Sequence, residues 1–384
     1  MKHILEIKDL QELARRRVPK MFYDYANSGS WTETTYRANE ADFKKIKLRQ
    51  RVAVDMTNRS LESTMLGQKV AMPVAVAPTG LTGMQHADGE MLAAKACEDF
   101  GIPFTLSTMS ICSIEDVASV TTKPFWFQLY VMKDREFIGN LIDRAKNAGC
   151  SALVLTLDLQ ILGQRHQDIK NGLSAPPKLG LWNLLDMASR PRWCFNMLKT
   201  RRHDFRNIVG HVKGVDDMSS LSQWTADQFD PKLSWDDIEW IKERFDGPLI
   251  LKGILDAEDA IMATKTGADA IIVSNHGGRQ LDGAPSSIEA LPAIVEAVGD
   301  KIEVHFDGGI RSGQDVLKAI CLGAKGTYIG RPMLYGLGAM GQKGVTLALE
   351  IIARELDMTM ALCGERKVVN LDRSNLYHGN KKGR

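Results

Sequence analysis

The sequence is poor in cysteine, and its six cysteines stand far apart from one another. No CxxC pair occurs, and no His and Cys residues have the spacing of a zinc site. We therefore expect no metal site. Most of the cysteines have apolar neighbours and are expected to be buried, reduced thiols.

The sequence also lacks an excess of charge of either sign. It has 49 basic and 47 acidic residues, so no general attraction to nucleic acid is expected. No apolar run is long enough to cross a membrane, and the first residues lack the apolar region of a signal peptide. These absences favour a cytoplasmic protein, and 384 residues of which 44% are hydrophobic are enough for a core without disulfides.

The chain does contain a regular series of short β-rich runs. The ends of neighbouring runs are 22 to 32 residues apart, except for one interval of 95 residues. The eight predicted strands are Pro73–Ala77, Pro103–Ser107, Phe125–Tyr130, Ala152–Leu157, Pro248–Lys252, Ala270–Ser274, Ile302–Phe306 and Thr327–Gly330. Apart from the long interval, this is the spacing of strand–helix units.

The segments between these runs are typical of amphipathic helices. Gly89–Phe100 carries apolar residues on one side, and Ser113–Asp116 and Ser234–Asp237 have the spacing of an N-terminal cap with an acidic third residue. The helix after Ser234–Asp237 is expected to end at Gly247. Eight nearly continuous apolar strands alternating with helices predict an α/β fold, a closed (β/α)8 TIM barrel, with a doubly wound open sheet as the alternative.

Two parts of the chain fall outside this alternation. Residues 1–60 predict an N-terminal helical preface, and the long interval after the fourth strand contains an insertion at about 170–232. We therefore predict a single domain over 1–384, with the barrel at 61–364 and a tail at 365–384.

A histidine and an arginine follow the sixth predicted strand, within Ser274–Gln280. Imidazole transfers protons near neutral pH, and guanidinium binds a carboxylate through two parallel hydrogen bonds. His276 and Arg279 therefore indicate acid–base chemistry on a small carboxylic acid, with a solvated surface turn as the alternative. Lys252 ends the fifth strand, where it is expected to face an anionic partner or to extend to the rim. In a TIM barrel the carboxyl ends of the strands share one rim, where active sites lie.

Two clusters of glycine and arginine follow the seventh and eighth strands. Gly308, Gly309 and Arg311 form the first cluster, and Gly330 and Arg331 form the second. Because loops at these positions commonly hold a phosphate in this fold, the clusters predict a phosphate site. Tight turns that any barrel needs are the alternative.

A GxGxxG pattern at Gly336–Gly341 matches the fingerprint of dinucleotide-binding proteins. It lies several residues beyond its strand, and no acidic strand end follows at the required distance. We interpret it as a loop after the eighth strand and do not expect NAD.

Five longer motifs occur along the chain, namely FQLYV, LTLD, SNHGGRQLDG, DGGIRSG and GRPMLYG. Together they resemble the FMN-dependent α-hydroxy-acid dehydrogenases and oxidases, which include glycolate oxidase and the lactate and mandelate dehydrogenases. The resemblance runs from about Phe22 to Gly364. Stretches such as LRQRV and GIPFTLSTMSICSIEDVA are most similar to bacterial L-lactate dehydrogenases that supply electrons to the respiratory chain.

The resemblance implies that FMN lies across the mouth of the barrel. The residues implied to hold it are Pro78, Thr79, Gly80, Ser107, Gln128, Thr156, Lys252, Asp307, Gly308, Gly309, Arg311, Gly330 and Arg331. Ser107, Gln128 and Thr156 would hydrogen-bond its ring, and Lys252 would stabilise the negative charge of the reduced flavin.

The resemblance also implies which residues act on the acid. The substrate-binding residues would be Tyr25, Tyr130, Arg165 and Arg279. His276 would be the general base, and Asp158 would orient it and stabilise its imidazolium. A carboxylate beside a histidine raises its basicity and fixes its tautomer. Met109 and Gly80 are expected to border the pocket for the acid's side chain.

The insertion mixes basic and apolar side chains over residues 178–213. Eight Lys or Arg residues stand there against two Asp, interleaved with Trp, Leu and Phe. This composition favours a peripheral contact with the inner face of the cell membrane. A lid loop that packs its aromatic residues on the barrel is the alternative.

We therefore predict FMN-dependent oxidation of an L-2-hydroxy acid, with L-lactate as the leading substrate, pyruvate as its product and a quinone as the electron acceptor. A soluble oxidase that passes electrons to O2 and releases H2O2 is the alternative. A barrel that binds FMN or a phosphate ligand without turnover is a third hypothesis, against which the complete set of predicted catalytic residues argues. The family resemblance further suggests a homotetramer.

Overall fold

The computed structural model describes residues 3–173, 180–212 and 230–377. Its strands form a two-stranded hairpin and an eight-stranded parallel sheet. They are β1 (Ser63–Met65), β2 (Gln68–Val70), β3 (Val74–Val76), β4 (Thr105–Ser107), β5 (Trp126–Tyr130), β6 (Ala152–Thr156), β7 (Leu249–Ile254), β8 (Ala270–Val273), β9 (Glu303–Asp307) and β10 (Gly326–Ile329). Strands β3 to β10 match the eight predicted runs to within two residues at either end.

The parallel sheet curves round until its two edge strands meet. Its order is β3, β10, β9, β8, β7, β6, β5, β4. An isolated parallel bridge joins Val76 to Phe104, and Val76 N donates to Pro103 O at 2.9 Å. The prediction of a (β/α)8 barrel is thereby confirmed, and the open-sheet alternative is excluded.

Helices cover the outside of the barrel and precede it. They are Ile7–Arg17, Lys20–Ala26, Thr34–Ala41, Thr82–Gln85, Gly89–Phe100, Ile114–Ala118, Arg135–Asn147, His166–Lys170, Leu181–Ala188, Pro191–Lys199, Asp236–Phe245, Ala257–Ala263, Ser287–Val298, Gly313–Cys321, Arg331–Met340 and Gln342–Leu362. Short 3-10 turns occupy Asp42–Lys45, Val368–Asn370 and Arg373–Asn375.

The barrel strands are buried on both faces, which explains why they are nearly continuous apolar runs in the sequence. Inside the barrel, Trp126, Val154 and Tyr328 belong to one cluster that the hairpin residue Met65 closes from below. The opposite faces of the strands pack against the surrounding helices in a second, larger cluster. All six cysteines are free and five of them are buried, as expected.

Two predicted helix caps differ in outcome. Ser113 Oγ accepts from Asp116 N, and Ser113 N donates back to the Asp116 carboxylate, so the predicted reciprocal cap is present. At the second cap the prediction was wrong by one residue, because Trp235 and not Ser234 caps the helix, which begins at Asp236. Its end was also mispredicted, since Asp246 in a left-handed conformation (φ +53°) ends the helix one residue before Gly247.

The GxGxxG segment is helical, so its interpretation as a loop was wrong. It lies in the helix Arg331–Met340 and its C-cap. A Cβ atom on Gly336 would lie only 2.3 Å from the carbonyl oxygen of Gly344 in the following helix. These glycines therefore allow two helices to pack closely together.

The preface packs over the barrel and reaches the catalytic rim. Its first helix, Ile7–Arg17, buries Ile7, Leu10 and Ala14. Ser30 N donates to Gly278 O at 2.9 Å, in the loop that follows β8. The preface is therefore part of the wall of the candidate site.

The insertion contains two described helices, Leu181–Ala188 and Pro191–Lys199. Lys178, Lys213 and the other predicted insertion residues in 174–179 and 213–229 lie outside the described part of the chain. The last seven residues of the predicted tail, 378–384, also lie outside it.

Candidate active site

His276 and Asp158 form a close pair at the rim of the barrel. His276 Nδ1 lies 2.7 Å from Asp158 Oδ1, and the two side chains are 15% and 14% exposed. His276 follows β8 in a left-handed conformation (φ +58°), which is unusual for a residue other than glycine. Its backbone N donates to Ser274 Oγ at 3.1 Å. Such strain persists only where the surroundings hold the backbone firmly, and it is concentrated at functional sites.

The electrostatics of this pair favour a neutral histidine beside an ionised aspartate. Burial lowers the pKa of His276 below its ordinary value, and Asp158 opposes this effect without reversing it. Burial alone would raise the pKa of Asp158, but His276 and Lys252 make the net shift downward. Asp158 thus raises the basicity of His276 as expected, yet burial has the larger effect. With Nδ1–H donated to Asp158, Nε2 is left as the proton acceptor.

Two amide side chains that the sequence analysis did not single out hold this loop. Gln280 Nε2 donates to Asp158 O at 2.7 Å and to Ile161 O at 2.8 Å. Asn275 and Asn39 exchange reciprocal amide hydrogen bonds of 2.9 and 2.8 Å while buried. Gln280 and Asn275 both fall inside the SNHGGRQLDG motif, which was the one available signal for them.

The predicted substrate-binding residues come together beside His276. The guanidinium of Arg279 lies over the Tyr25 ring, 4.5 Å from its centroid. Arg279 Nη1 donates to Tyr25 O and, at 3.1 Å, to Ser28 O. Arg165 Nε donates weakly to Arg279 O at 3.4 Å. These residues and Tyr130, whose pKa burial raises, line one cavity with His276.

Lys252 is 4% exposed and pairs with an acid inside the barrel mouth. Its Nζ lies 3.0 Å from Asp307 Oδ2 and donates to Ser274 Oγ at 2.8 Å. Burial alone would lower the pKa of Lys252, but Asp307 and Asp158 make the net shift upward, so the ammonium stays charged. Asp307 Oδ1 is a buried acceptor without a donor among the described residues.

The two glycine and arginine clusters both line the cavity, but their residues also have protein partners. A Cβ atom on Gly309 (φ +89°) would lie 2.0 Å from Asn39 O, so the turn alternative accounts for this glycine. Arg311 Nη2 lies 2.8 Å from Glu40 Oε1. Arg331 donates to the carbonyl oxygens of three residues, Ala26, Gly277 and Ser28. Arg331 thus ties the preface to the catalytic loop.

Ser107, Gln128 and Thr156 form a hydrogen-bonded chain across three neighbouring strands. Ser107 Oγ donates to Gln128 Oε1 at 3.0 Å, and Gln128 Nε2 donates to Thr156 Oγ1 at 2.9 Å. All three are buried, and they lie outside the set of residues that line the cavity. The structure therefore groups them with one another, whereas the predicted cofactor residues Pro78, Thr79 and Gly80 are among those that line the cavity.

The cavity wall is strongly cationic. The described charged residues that line it are Arg165, Lys252, Arg279, Arg311, Arg331 and Asp307. Glu40 and Asp168 pair with Arg311 and Arg279 from outside the cavity. The positive charge that remains on the lining favours anionic occupants, because excess buried charge of one sign is costly unless it is compensated. A flavin phosphate and a substrate carboxylate would both supply this compensation. The hydroxyl groups of a ribityl chain could donate to Asp307 Oδ1, so the donor and acceptor set fits FMN.

Sequence comparison finds similar proteins over nearly the whole chain. The profile of the family described as FMN-dependent dehydrogenase matches residues 14–378. An L-lactate dehydrogenase of Pseudomonas syringae pv. syringae (strain B728a) is 45% identical over 377 residues, which cover 97% of this chain and 98% of that relative. An L-lactate dehydrogenase of Acinetobacter baylyi is 44% identical, with 97% of each chain covered.

Solved structures give the same result. The monotopic membrane protein (S)-mandelate dehydrogenase superposes with a TM-score of 0.94 at 34% identity, over 98% of this chain and 100% of that one. A mandelate oxidase superposes with a TM-score of 0.83 at 36% identity, over 98% of both chains. The family resemblance of the motifs and the choice of FMN as cofactor are thereby confirmed. The chain belongs to the FMN-dependent dehydrogenase family.

Proposed function

We propose that this protein oxidises L-lactate to pyruvate and passes the electrons from FMN to a quinone at the membrane. The observation that carries the proposal is the His276–Asp158 pair, whose histidine lines the same cavity as Arg165 and Arg279. A base and two guanidinium groups around one cavity suit a small 2-hydroxy acid. The names of the two L-lactate dehydrogenase relatives support lactate as that acid.

The residues that would hold FMN are those of the barrel mouth. Pro78, Thr79 and Gly80 would contact it along one wall, and Arg311 and Arg331 would supply positive charge for its phosphate. Lys252 would stabilise negative charge on the reduced ring. Bound FMN supplies a two-electron acceptor next to the substrate.

The protein's own groups bind and orient the acid. Arg279 is fixed through Nη1 and presents the rest of its guanidinium to a carboxylate. Arg165 adds a second positive charge, and the Tyr25 and Tyr130 side chains line the same cavity. This arrangement binds the carboxylate before any bond is broken, so the group to be oxidised is held beside His276.

Oxidation of the acid removes two hydrogens, one from Cα and one from the hydroxyl, together with two electrons. His276 takes one of these hydrogens as a proton, and the electron pair would pass with the other hydrogen to bound FMN. The Nδ1–H of His276 is engaged by Asp158 Oδ1 at 2.7 Å, so the acceptor is Nε2. The imidazolium formed would be stabilised by the adjacent ionised Asp158, whose position Gln280 fixes through the Asp158 carbonyl. Asp158 therefore acts on the tautomer, the orientation and the charge of the base.

Anaerobic reduction of the purified yellow holoprotein tests the substrate. L-lactate is expected to bleach the flavin faster than D-lactate, glycolate or L-mandelate. His276→Gln is expected to keep the yellow colour and lose rapid bleaching. Rapid bleaching by the variant would refute the role of His276, and a preference for L-mandelate would refute lactate as the substrate.

The electron acceptor is tested separately with the reduced holoprotein. We expect quinone to reoxidise it faster than O2 does. A structural neighbour is named an oxidase, so rapid release of H2O2 without quinone reduction would favour the oxidase alternative. The proposed homotetramer is tested by light scattering after size-exclusion chromatography.

The described insertion supports a peripheral membrane contact. No side chain of the helix Leu181–Ala188 is buried. Trp182 and Leu198 are 80% and 85% exposed, and exposed apolar residues in such number mark an interaction site. Trp193, in contrast, stacks on Phe22, so the lid alternative holds for part of the insertion.

Basic residues of the insertion lie among its apolar ones. Lys199 Nζ lies 4.0 Å from the centre of the Phe195 ring. Arg190 joins the insertion to the preface by donating to Arg16 O at 2.7 Å. In the described part of the chain no helix is both long and apolar enough to span a bilayer. Basic and aromatic groups together suit the surface of an anionic leaflet.

Vesicle flotation tests this contact. We expect the protein to float with vesicles that contain anionic lipid, and to be released by high salt. Equal flotation with neutral vesicles would refute an electrostatic contribution to membrane binding. No flotation with either kind of vesicle would refute the membrane contact itself.

A further inference from the structure

Asp168 is a buried carboxylate beside the substrate-binding arginines, and the mechanism above does not use it. It lies in the short helix His166–Lys170 and is 7% exposed. Its Oδ2 is 3.6 Å from Arg279 Nη2. Neither Asp168 Oδ1 nor Arg279 Nη2 has a hydrogen-bond partner among the described residues. Two buried, opposite charges therefore face one another without a hydrogen bond.

The two terminal nitrogens of Arg279 are held differently. Nη1 donates to the carbonyl oxygens of Tyr25 and Ser28. Nη2 has only the loose ion pair with Asp168. Since guanidinium binds a carboxylate best through two parallel hydrogen bonds, Nη2 is the group whose donors remain for a bound acid.

The helix that carries Asp168 is anchored, so its carboxylate stays near Arg279. Gln167 Nε2 and Asn171 Nδ2 donate to Asp24 Oδ2 at 3.0 and 2.9 Å. Burial raises the pKa of Asp168, while the charges of Arg279 and Arg165 oppose that rise and the charge of Asp24 adds to it.

We propose that Asp168 is the internal counter-anion of Arg279. Asp168 pairs with Arg279 Nη2 when no acid is bound, and it competes with the acid's carboxylate for this nitrogen. The inference rests on the proposed function, since it takes the ligand to be a 2-hydroxy or 2-oxo acid. Substrate and product carry the same carboxylate. Asp168 therefore weakens the binding of both, and it promotes release of the 2-oxo acid after each turnover. It is a positioning residue, which acts through Arg279.

Two substitutions of opposite expected effect test this role. Asp168→Asn removes the charge and keeps the shape, so pyruvate is expected to bind the oxidised holoprotein roughly threefold to tenfold more tightly. Asp168→Glu lengthens the side chain and can close the 3.6 Å gap, so pyruvate is expected to bind more weakly by a similar factor. Both dissociation constants are measured by titration of the flavin absorbance.

Three controls separate competition from a structural effect. Pyruvamide lacks the carboxylate, so its binding is expected to change less than twofold in either variant. Asp357→Asn removes an acid that pairs with Arg59 at 2.8 Å, where neither residue lines the cavity, and is expected to leave pyruvate binding unchanged. KM for L-lactate is expected to follow the dissociation constant of pyruvate, while the rate of flavin reduction at saturating lactate changes less.

Unchanged or weaker pyruvate binding by Asp168→Asn would overturn the proposal, as would an equal change for pyruvamide. If Asp168→Asn does not fold or does not retain FMN, Asp168→Glu decides, and tighter or unchanged binding of pyruvate would overturn the role of Asp168. Failure of the wild-type holoprotein to bind pyruvate or lactate would instead overturn the proposed function, together with the inference that rests on it.

Discussion

Two regions of the molecule differ in where their side chains find partners. They are the catalytic loop Ser274–Gln280 and the insertion helices Leu181–Ala188 and Pro191–Lys199. In the loop, Asn275, His276 and Gln280 all have hydrogen-bond partners within the protein. In the insertion, large apolar side chains such as Trp182 are exposed. The loop is thus complete within the fold, whereas the insertion has a surface that suits an external partner.

This difference indicates which properties each region controls. A loop held by buried hydrogen bonds keeps a strained histidine in one position, as catalysis requires. An exposed apolar surface contributes little to folding stability, because its side chains are in water in both the folded and the unfolded protein. Substitutions in the loop should therefore change chemistry and stability, and substitutions of the exposed apolar side chains of the insertion should change neither.

The largest effect is expected for Asp158→Asn. An amide cannot stabilise the imidazolium, so kcat/KM for L-lactate is expected to fall at least about 100-fold with FMN still bound. The matched control in the insertion is Asp186→Asn, which removes a carboxylate 3.1 Å from Arg190. It is expected to change kcat/KM less than about twofold. An Asp158→Asn variant that keeps more than a tenth of the activity would contradict the role of Asp158. Stopped-flow reduction of the flavin measures both.

The next effect is on stability, at the buried amide pair. Asn275→Ala leaves the buried Asn39 Nδ2 without its acceptor, which should cost about 1–3 kcal/mol of the free energy of unfolding. Asn183→Ala is the control in the insertion, where a hydrogen bond of 2.7 Å to Asn171 O and a long one of 3.8 Å to Met21 Sδ are lost at a half-buried position. Its cost is expected to be about 1 kcal/mol or less. Urea unfolding of both variants and of the double variant Asn39→Ala/Asn275→Ala measures the coupling between the two amide side chains. An Asn275→Ala variant as stable as the wild type would contradict the predicted loss.

A smaller effect concerns the pH at which activity is lost. The base must be neutral, and burial lowers the pKa of His276 from its ordinary value of 6.5. kcat/KM should therefore be constant around neutral pH and fall on acidification with a midpoint below 6.5. Since Asp158 opposes this lowering, the midpoint in Asp158→Asn should move further down. A midpoint above 6.5 in the wild type would mean that the charge of Asp158 outweighs burial.

The sequence predicted the barrel well because its strands are local patterns. Each strand buried on both faces is a short apolar run, and this pattern needs no knowledge of its neighbours. The segment around Gly336 was mispredicted because the residue whose close approach requires a glycine there, Gly344, lies in another helix. Local glycine spacing alone does not distinguish a phosphate turn from a close helix contact.

Site residues that lie in a short motif could be named from the sequence. Contacts between residues from distant parts of the chain could not. His276, Arg279 and Asp158 were all named from short motifs. The carbonyl groups of Ala26 and Ser28 that hold Arg331 lie some 300 residues before it. Asp168 was not named either, because a single acid in a polar stretch has no pattern of its own in the sequence.

The smallest effect on folding and chemistry is expected for Trp182→Ser in the insertion. Trp182 is 80% exposed, so its loss should change the free energy of unfolding by less than about 0.5 kcal/mol. Flavin reduction by L-lactate should be unchanged, since Trp182 does not line the cavity. Vesicle binding should weaken severalfold, because an indole at the lipid interface contributes binding energy.

Trp193→Ser is the contrasting control, since the Trp193 Nε1 donates to Met84 O at 2.8 Å and the Trp193 ring stacks on Phe22. It should destabilise the protein by more than Trp182→Ser does. Equal losses of stability in the two variants would mean that the exposed surface of the insertion is part of the fold after all.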